Sequence, residues 1–294
     1  MHAKSKKKVI DMRKNIILAC CALGVFITSC NGAGSIQNYN EKVGGIKFKM
    51  VYVKGGYFNM GGTSELEGEA GEDASPFHRV NLDSYYISET EVTQALWEEV
   101  MGSNPSLNKG DSLPVGNVTW DEAIKFCNRL SSRTGEKYRL PTEAEWEFAA
   151  RGGNLSKKTK YAGSNNIDEV AWYKDNAEAP QKVAGKKPNE LGLYDMSGNA
   201  KEWCSDFYVK YLAGEQTNPF GPERGEKHVI RGGAWNGPSI YCNVAYRNND
   251  IPNRSFGEYG LRVVRTVKES EEIKFDINLD SKKSDSKKTD SKKK

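Results

Sequence analysis

Apolar and polar positions alternate where the folded body begins: in IKFKMVYVKGGYFNMG, residues 46–61, Ile46, Phe48, Met50 and Tyr52 fall on one side of an extended chain until Gly55-Gly56 interrupts it. A period of two followed by a glycine pair predicts strand, turn, strand. Farther along the period changes. Leu96, Trp97 and Val100 recur at helical spacing between Thr93 and Met101, just ahead of Gly102. Thr119-Trp-Asp-Glu122 and Thr142-Glu-Ala-Glu145 each set a threonine three residues before a glutamate, the form of a capping box, and predict helices to about Ser131 and about Arg151. Elsewhere short apolar runs alternate with Gly, Pro and Asn turns and scattered tryptophans, without an internal repeat. The pattern predicts one α+β body over residues 46–265 with much irregular structure.

The two ends follow other patterns. Lys6, Lys7, Lys8, Arg13 and Lys14 precede an apolar run from Ile16 to Ile27, which is too short to span a bilayer and has the size of a signal-peptide core. The run closes in Ile27-Thr28-Ser29-Cys30, which resembles a bacterial lipobox. A signal peptide over residues 1–29, lipid on Cys30 and a polar tether over 30–45 are therefore expected, with the membrane reached through that lipid and the protein held in the cell envelope, on its outer surface. Past Arg265, IKFDINLD (273–280) alternates like an added edge strand within 266–280, and residues 281–294, free of apolar side chains, read as a disordered basic tail.

Charge changes the picture of partners. Residues 1–29 carry six basic against one acidic side chain and residues 281–294 seven against two, so the formal +4 of the whole leaves −6 on the body. A mildly acidic body excludes nucleic acid as the expected partner, because phosphate binding needs a basic stripe on the folded domain. Cys20 and Cys21 leave with the signal, and Cys30 takes lipid. Cys127, Cys204 and Cys242 remain, enough for one disulfide with one thiol over, and sequence does not choose the pair. With His2, His78 and His228 as the only histidines and no Cys/His cluster, a zinc or non-haem iron site is not expected.

Six stretches stand in one order across about 220 residues: MVYVKGGYFNMG (50–61), EVTQALWEEVMGSNPS (91–106), PVGNVTWDEAIKFCNRL (114–130), YRLPTEAEWEFAARGG (138–153), ELGLYDMSGNAKEWCSD (190–206) and RGGAW…GLR (231–262). Together they resemble the formylglycine-generating enzyme, or sulfatase-modifying factor, family. The resemblance implies a C-type-lectin-like fold with little regular secondary structure. In Asp195-Met-Ser-Gly198-Asn-Ala200-Lys-Glu202, two carboxylates flank a Gly-Asn turn able to aim carbonyls inward, and oxygen-only ligation suits Ca²⁺. The family's calcium loop corresponds to the side chains of Asp195 and Glu202 and the carbonyls of Gly198 and Ala200, so a structural calcium is expected. Family catalysis uses copper on a C-x4-C pair. Counted from Gly232, those positions fall on Gly237 and Cys242, and one thiolate does not make that Cu(I) site. Copper and an oxidase activity are not expected, and no catalytic residue is assigned.

The segment RGGAWNGPSIYCNVAYRNNDIPNRSFGEYGLRVVR (231–265) resembles, in its GGAW, Arg, Pro and closing GLR skeleton, the variable region of retroelement-diversified proteins with the same lectin-like fold. On that resemblance the contacts to a ligand fall on Asn236, Ser239, Ile240, Tyr241, Asn243, Tyr246, Asn248, Asn249, Asp250, Phe256, Glu258 and Tyr259. Their Tyr/Asn/Ser mix suits a paratope, since tyrosine gives wide contact at small entropy cost and asparagine adaptable hydrogen bonds. The expected function is binding of a protein or glycan ligand by an anchored lipoprotein without catalysis. An oxidase of protein cysteines and a scaffold lipoprotein of an envelope complex are the alternatives.

Overall fold

A computed structural model describes residues 37–66, 68–268 and 271. The signal peptide, Cys30, the strand expected at 273–280 and the basic tail lie outside the described residues. Among the described residues, twelve strands, four α-helices and short 3-10 turns make an α+β body of three small sheets.

The fold begins earlier than the composition suggested. Tyr39–Val43 (β1), placed in the tether, pairs antiparallel with Ile46–Val53 (β2), from Tyr39 opposite Met50 to Val43 opposite Ile46. The polar count of the segment hid its own alternation: Val43 is buried, and the Tyr39 ring meets Tyr86 edge-on at 5.0 Å while its hydroxyl lies 3.2 Å from that of Tyr138. The strand-turn-strand expected after Ile46 is present, but its halves belong to different sheets. Gly56–Met60 (β3) pairs with His78–Leu82 (β4) and not with β2.

The five-stranded sheet runs β1, β2, Tyr85–Ser88 (β5), Val264–Thr266 (β12) and Tyr138–Arg139 (β6). Because β12 is inserted between β5 and β6, the start and the end of the body share one sheet. The smallest sheet adds Gln216–Thr217 (β8) to β4. The third carries the site: Asn248–Asp250 (β10), His228–Arg231 (β9), Lys201–Phe207 (β7) and Tyr259–Gly260 (β11), in that order.

Three of the helices start as their sequences require. In Gln94–Met101 (α1) the Thr93 hydroxyl accepts from Leu96 N–H, and left-handed Gly102 ends the helix. Trp120–Thr134 (α2) and Glu143–Ala150 (α3) both have complete capping boxes, at Thr119/Glu122 and Thr142/Glu145. Ile167–Val170 (α4) is a single turn. One apolar cluster gathers Val51, Val53, Trp146 and Phe148, and a second gathers Trp97, Phe126, Trp203 and Leu261. In the second, Trp97 and Phe126 stack at 5.1 Å and lock α1 on α2.

Candidate ligand-binding surface and the turn beneath it

Residues 231–262 are held by three buried arginines. Arg231 Nη2 donates to Glu147 at 2.5 Å, and its two Nη groups also hold the carbonyls of Val244, Ala245 and Tyr246. Arg247 grips Glu143 through Nε (2.7 Å) and Nη2 (2.8 Å), donates to the carbonyls of Asp73 and Val209, and lies against the rings of Tyr208 and Tyr211. Arg262 grips Glu202 in the same two-pronged way and donates to the carbonyls of Ser88 and Tyr194. Such planar forks fix direction as well as distance. Gly233 completes the frame. Its φ is 75°, and a Cβ there would stand 2.8 Å from both Cys242 Sγ and the Tyr241 carbonyl oxygen.

The residues hung on this frame divide into two groups. Asn236, Ile240 (38% exposed) and Phe256 (46% exposed) stand out from the surface, and Ser239, Tyr241, Tyr246, Asn248, Asn249 and Glu258 are half-buried beside them. The rings of Tyr241 and Tyr246 lie 4.6 Å apart, and burial, reinforced by Tyr241, pushes the Tyr246 phenol up to about 12. Tyr246 therefore stays neutral, a polar tip on an apolar body.

Asn243, Asp250 and Tyr259 do not join them. Asn243 is fully buried: its amide nitrogen donates to the carbonyls of Glu69 and Ile240, and its oxygen accepts from Ala245 N–H. It belongs to the frame. Tyr259 packs edge-on against Trp203 and donates to Asp250 Oδ2, and Asp250 pairs with Arg254. Asparagine and tyrosine satisfy a buried turn as readily as they make a contact surface, so residue type alone did not separate the two uses.

Two neighbours of the surface carried no signal in the sequence. Lys201, inside the expected calcium motif, lines a narrow slot with Tyr241, Tyr246 and Asn248, and its ammonium lies 3.5 Å from Glu258. Leu107, 73% exposed, comes from the loop after α1 and approaches Gly257 next to Phe256.

The thiols are apart. Cys127, Cys204 and Cys242 are all buried and unpaired, each in a different apolar cluster, so none of the pairings that three thiols allow is formed. Burial pushes the Cys242 thiol up to about 12, against the pull of the Ala234 N–H. It is held as a thiol, and the other position of the C-x4-C spacing is Gly237.

Beneath the surface lies the Asp195–Glu202 turn. Gly198 is required there, because a Cβ would stand 2.2 Å from the Trp172 carbonyl oxygen. Asp195 and Asn199 adopt φ of 57° and 59°, and Asn199 ties the turn to Gln181 by two hydrogen bonds. Asp195 Oδ2 accepts from Ala184 N–H at 2.7 Å, while its Oδ1 is buried without a partner. Glu202 Oε2 accepts from Trp146 Nε1 and Arg262 Nε, and Oε1 accepts only from Arg262 Nη2, which leaves it one lone pair. Glu91 is a third buried carboxylate, accepting from Ala200 N–H at 3.1 Å. Burial, then Asp195 and Glu202, push the Glu91 carboxyl well up, and burial lifts Asp195 to about 6. Three carboxylates share one guanidinium, Arg262. The orphaned Asp195 oxygen and this excess of negative charge fit an oxygen-seeking cation, although no cluster of three or more His, Cys, Asp or Glu in ligand geometry occurs among the described residues.

Comparison with known proteins agrees with this architecture. The chain is 31% identical over 306 residues to the chaperone protein LppX of Paenibacillus barcinonensis, covering 87% of this chain and all of that one. It is 30% identical over 189 residues to the formylglycine-generating enzyme of Streptomyces coelicolor, 58% of each chain. Among solved structures, Treponema denticola variable protein 1 superposes with a TM-score of 0.72 at 31% identity, covering 78% of this chain and 99% of that one. The model of the sulfatase-modifying factor enzyme 1-like domain matches residues 42–267, and the chain belongs to that family.

Proposed function

We propose that this protein is a non-catalytic member of its family that binds a protein or glycan ligand through the open positions of residues 236–258, on a C-type-lectin-like frame. One observation carries the reading: within a single segment, buried arginines and glycines with fixed stereochemical tasks alternate with Tyr, Asn, Ser, Ile and Phe that reach solvent. The likeness to a protein named for its variability supports diversification at those positions. The likeness to LppX, a protein named as a chaperone, favours a polypeptide among the two ligand classes. Lipid on Cys30 would hold the body at the outer face of the envelope, and Ca²⁺ on Asp195 and Glu202, with the carbonyls of Gly198 and Ala200, would brace the turn below the surface. Against the oxidase reading stands Cys242, a buried neutral thiol without a second sulfur at Gly237.

The test exchanges Asn236, Ser239, Ile240, Tyr241, Tyr246, Asn248, Asn249, Phe256 and Glu258 together while keeping the frame. An unchanged melting temperature with an altered set of bound targets is expected. Unfolding of the exchanged protein would show that these side chains are core, and sequencing the gene across many cells of one clone should find substitutions confined to the same codons.

A further inference from the structure

A cavity of about 340 Å³ lies between β4, the first turn of α3 and the chain from β7 past β8, and none of the candidate contact residues above lines it. Its rim is apolar and open: Leu212 is 71% and Phe220 68% exposed, large side chains that a body of this size would ordinarily cover. Its floor is polar and buried. Glu143 and Arg247 neutralise each other there through two hydrogen bonds.

Asp206 is different. It is 6% exposed, and no basic group lies within 4 Å of it among the described residues. One oxygen, Oδ2, caps α3 by accepting from Glu143 N–H (3.0 Å) and also accepts from the Ser205 hydroxyl (2.9 Å). Both of these bonds fall on Oδ2, which leaves Oδ1 without a hydrogen bond among the described residues, and Asp206 lines the cavity. A buried carboxylate without a counter-ion is costly unless it is protonated or a cation arrives.

We propose that this cavity receives an ammonium or guanidinium group on a short apolar stem, the chemistry of a lysine or arginine side chain of a partner polypeptide, with Asp206 Oδ1 taking the charge. Tyr211, Leu212 and Phe220 pack the stem. Arg247 is already spent on Glu143 and two carbonyls, so the floor of the cavity offers an anion no free guanidinium, and Lys210 is exposed at the wall. Burial, with Glu143 adding to it, pushes the Asp206 carboxyl up to about 7, so neutral pH finds it part protonated and an arriving cation draws it down. The charged and titratable groups around it are Glu143 and Glu145 on α3, Arg139 on β6, His78 on β4, Cys204 on β7, His228 on β9, and Tyr211, Arg247 and Lys210 at the cavity wall.

The experiment titrates the purified chain with N-acetyl-lysine N-methylamide and its arginine counterpart, reading chemical shifts of the Asp206 carboxyl, with the N-acetyl-norleucine amide as a stem without charge. Either basic probe should bind at least about tenfold more tightly at pH 8 than at pH 5.5, and the norleucine probe at least about tenfold more weakly than the basic ones at pH 8. Asp206→Asn keeps an oxygen for the Glu143 N–H and should remove both the binding and its pH dependence. If that variant does not fold, Leu212→Ser and Phe220→Ser, both on the open rim, should weaken binding without moving the melting temperature. Absence of a saturable shift up to about 10 mM, equal binding of norleucine, or indifference to pH would overturn the proposal.

Discussion

Asp206 shows what a single side chain does to the behaviour of the body. Its folded carboxyl sits near 7 against an ordinary value of 3.8, chiefly through burial. Between those values the folded protein holds a proton that the unfolded chain has lost, so this residue makes the fold less stable as pH rises from about 4 to about 7, by at most about 1.4 kcal/mol per unit. Thermal unfolding of Asp206→Asn should follow a flatter pH profile than the parent over that window, and a parallel profile would show that Asp206 titrates normally. None of this was legible in the sequence, where Asp206 is one more acidic residue, two places past a cysteine. The arginine skeleton was legible in part. Arg247 and Arg262 stood out in the motif, but their partners Glu143 and Glu202 lie 104 and 60 residues away, and only the fold brings them together. Asn243 was misplaced for the converse reason: its partners are backbone carbonyls, which every sequence contains.

At the level of elements, local chemistry was read best where it is self-contained. The Thr119 hydroxyl accepts from Glu122 N–H and the Glu122 carboxylate accepts from Thr119 N–H, so four consecutive residues complete the capping box of α2, and only the Trp120 and Asp121 N–H groups turn to a distant carbonyl, that of Pro252. Thr119→Ala should cost about 1 kcal/mol of stability and Thr119→Ser much less, measured by denaturant unfolding; equal losses in both would mean that the threonine methyl, not its oxygen, matters. Strands were harder, because a strand is defined by its partner. β1 was hidden in a polar stretch, and β10 and β11 are two or three residues long and exist only beside β9 and β7. The same dependence explains the β2–β3 pair: the glycine turn between them was read correctly, but the sheet that receives β3 is closed by β4 and β8.

Over the whole molecule, the turn below the candidate surface joins parts that are far apart in the chain. Glu91 follows β5, Asp195 opens the turn, Glu202 lies on β7 and Arg262 precedes β12, so one cluster ties all these segments together. Its charge does not balance, since three buried carboxylates face one guanidinium. Without a cation the cluster must hold extra protons or bear repulsion, and either loosens the Gly198–Asn199 turn on which Trp235 N–H hangs by its bond to the Asn199 carbonyl. Calcium should therefore act on global stability and not only on a loop. At a free concentration one hundred times its dissociation constant it should add about 2.7 kcal/mol, and a chelator should lower the melting temperature accordingly. Asp195→Asn should abolish most of that response, because it removes the charge from the one carboxylate with an oxygen left over. Glu202→Gln should instead lower stability with or without calcium, since it breaks the grip on Arg262. A wild-type melting curve indifferent to both calcium and chelator would remove the metal from the account and leave the cluster to protons alone.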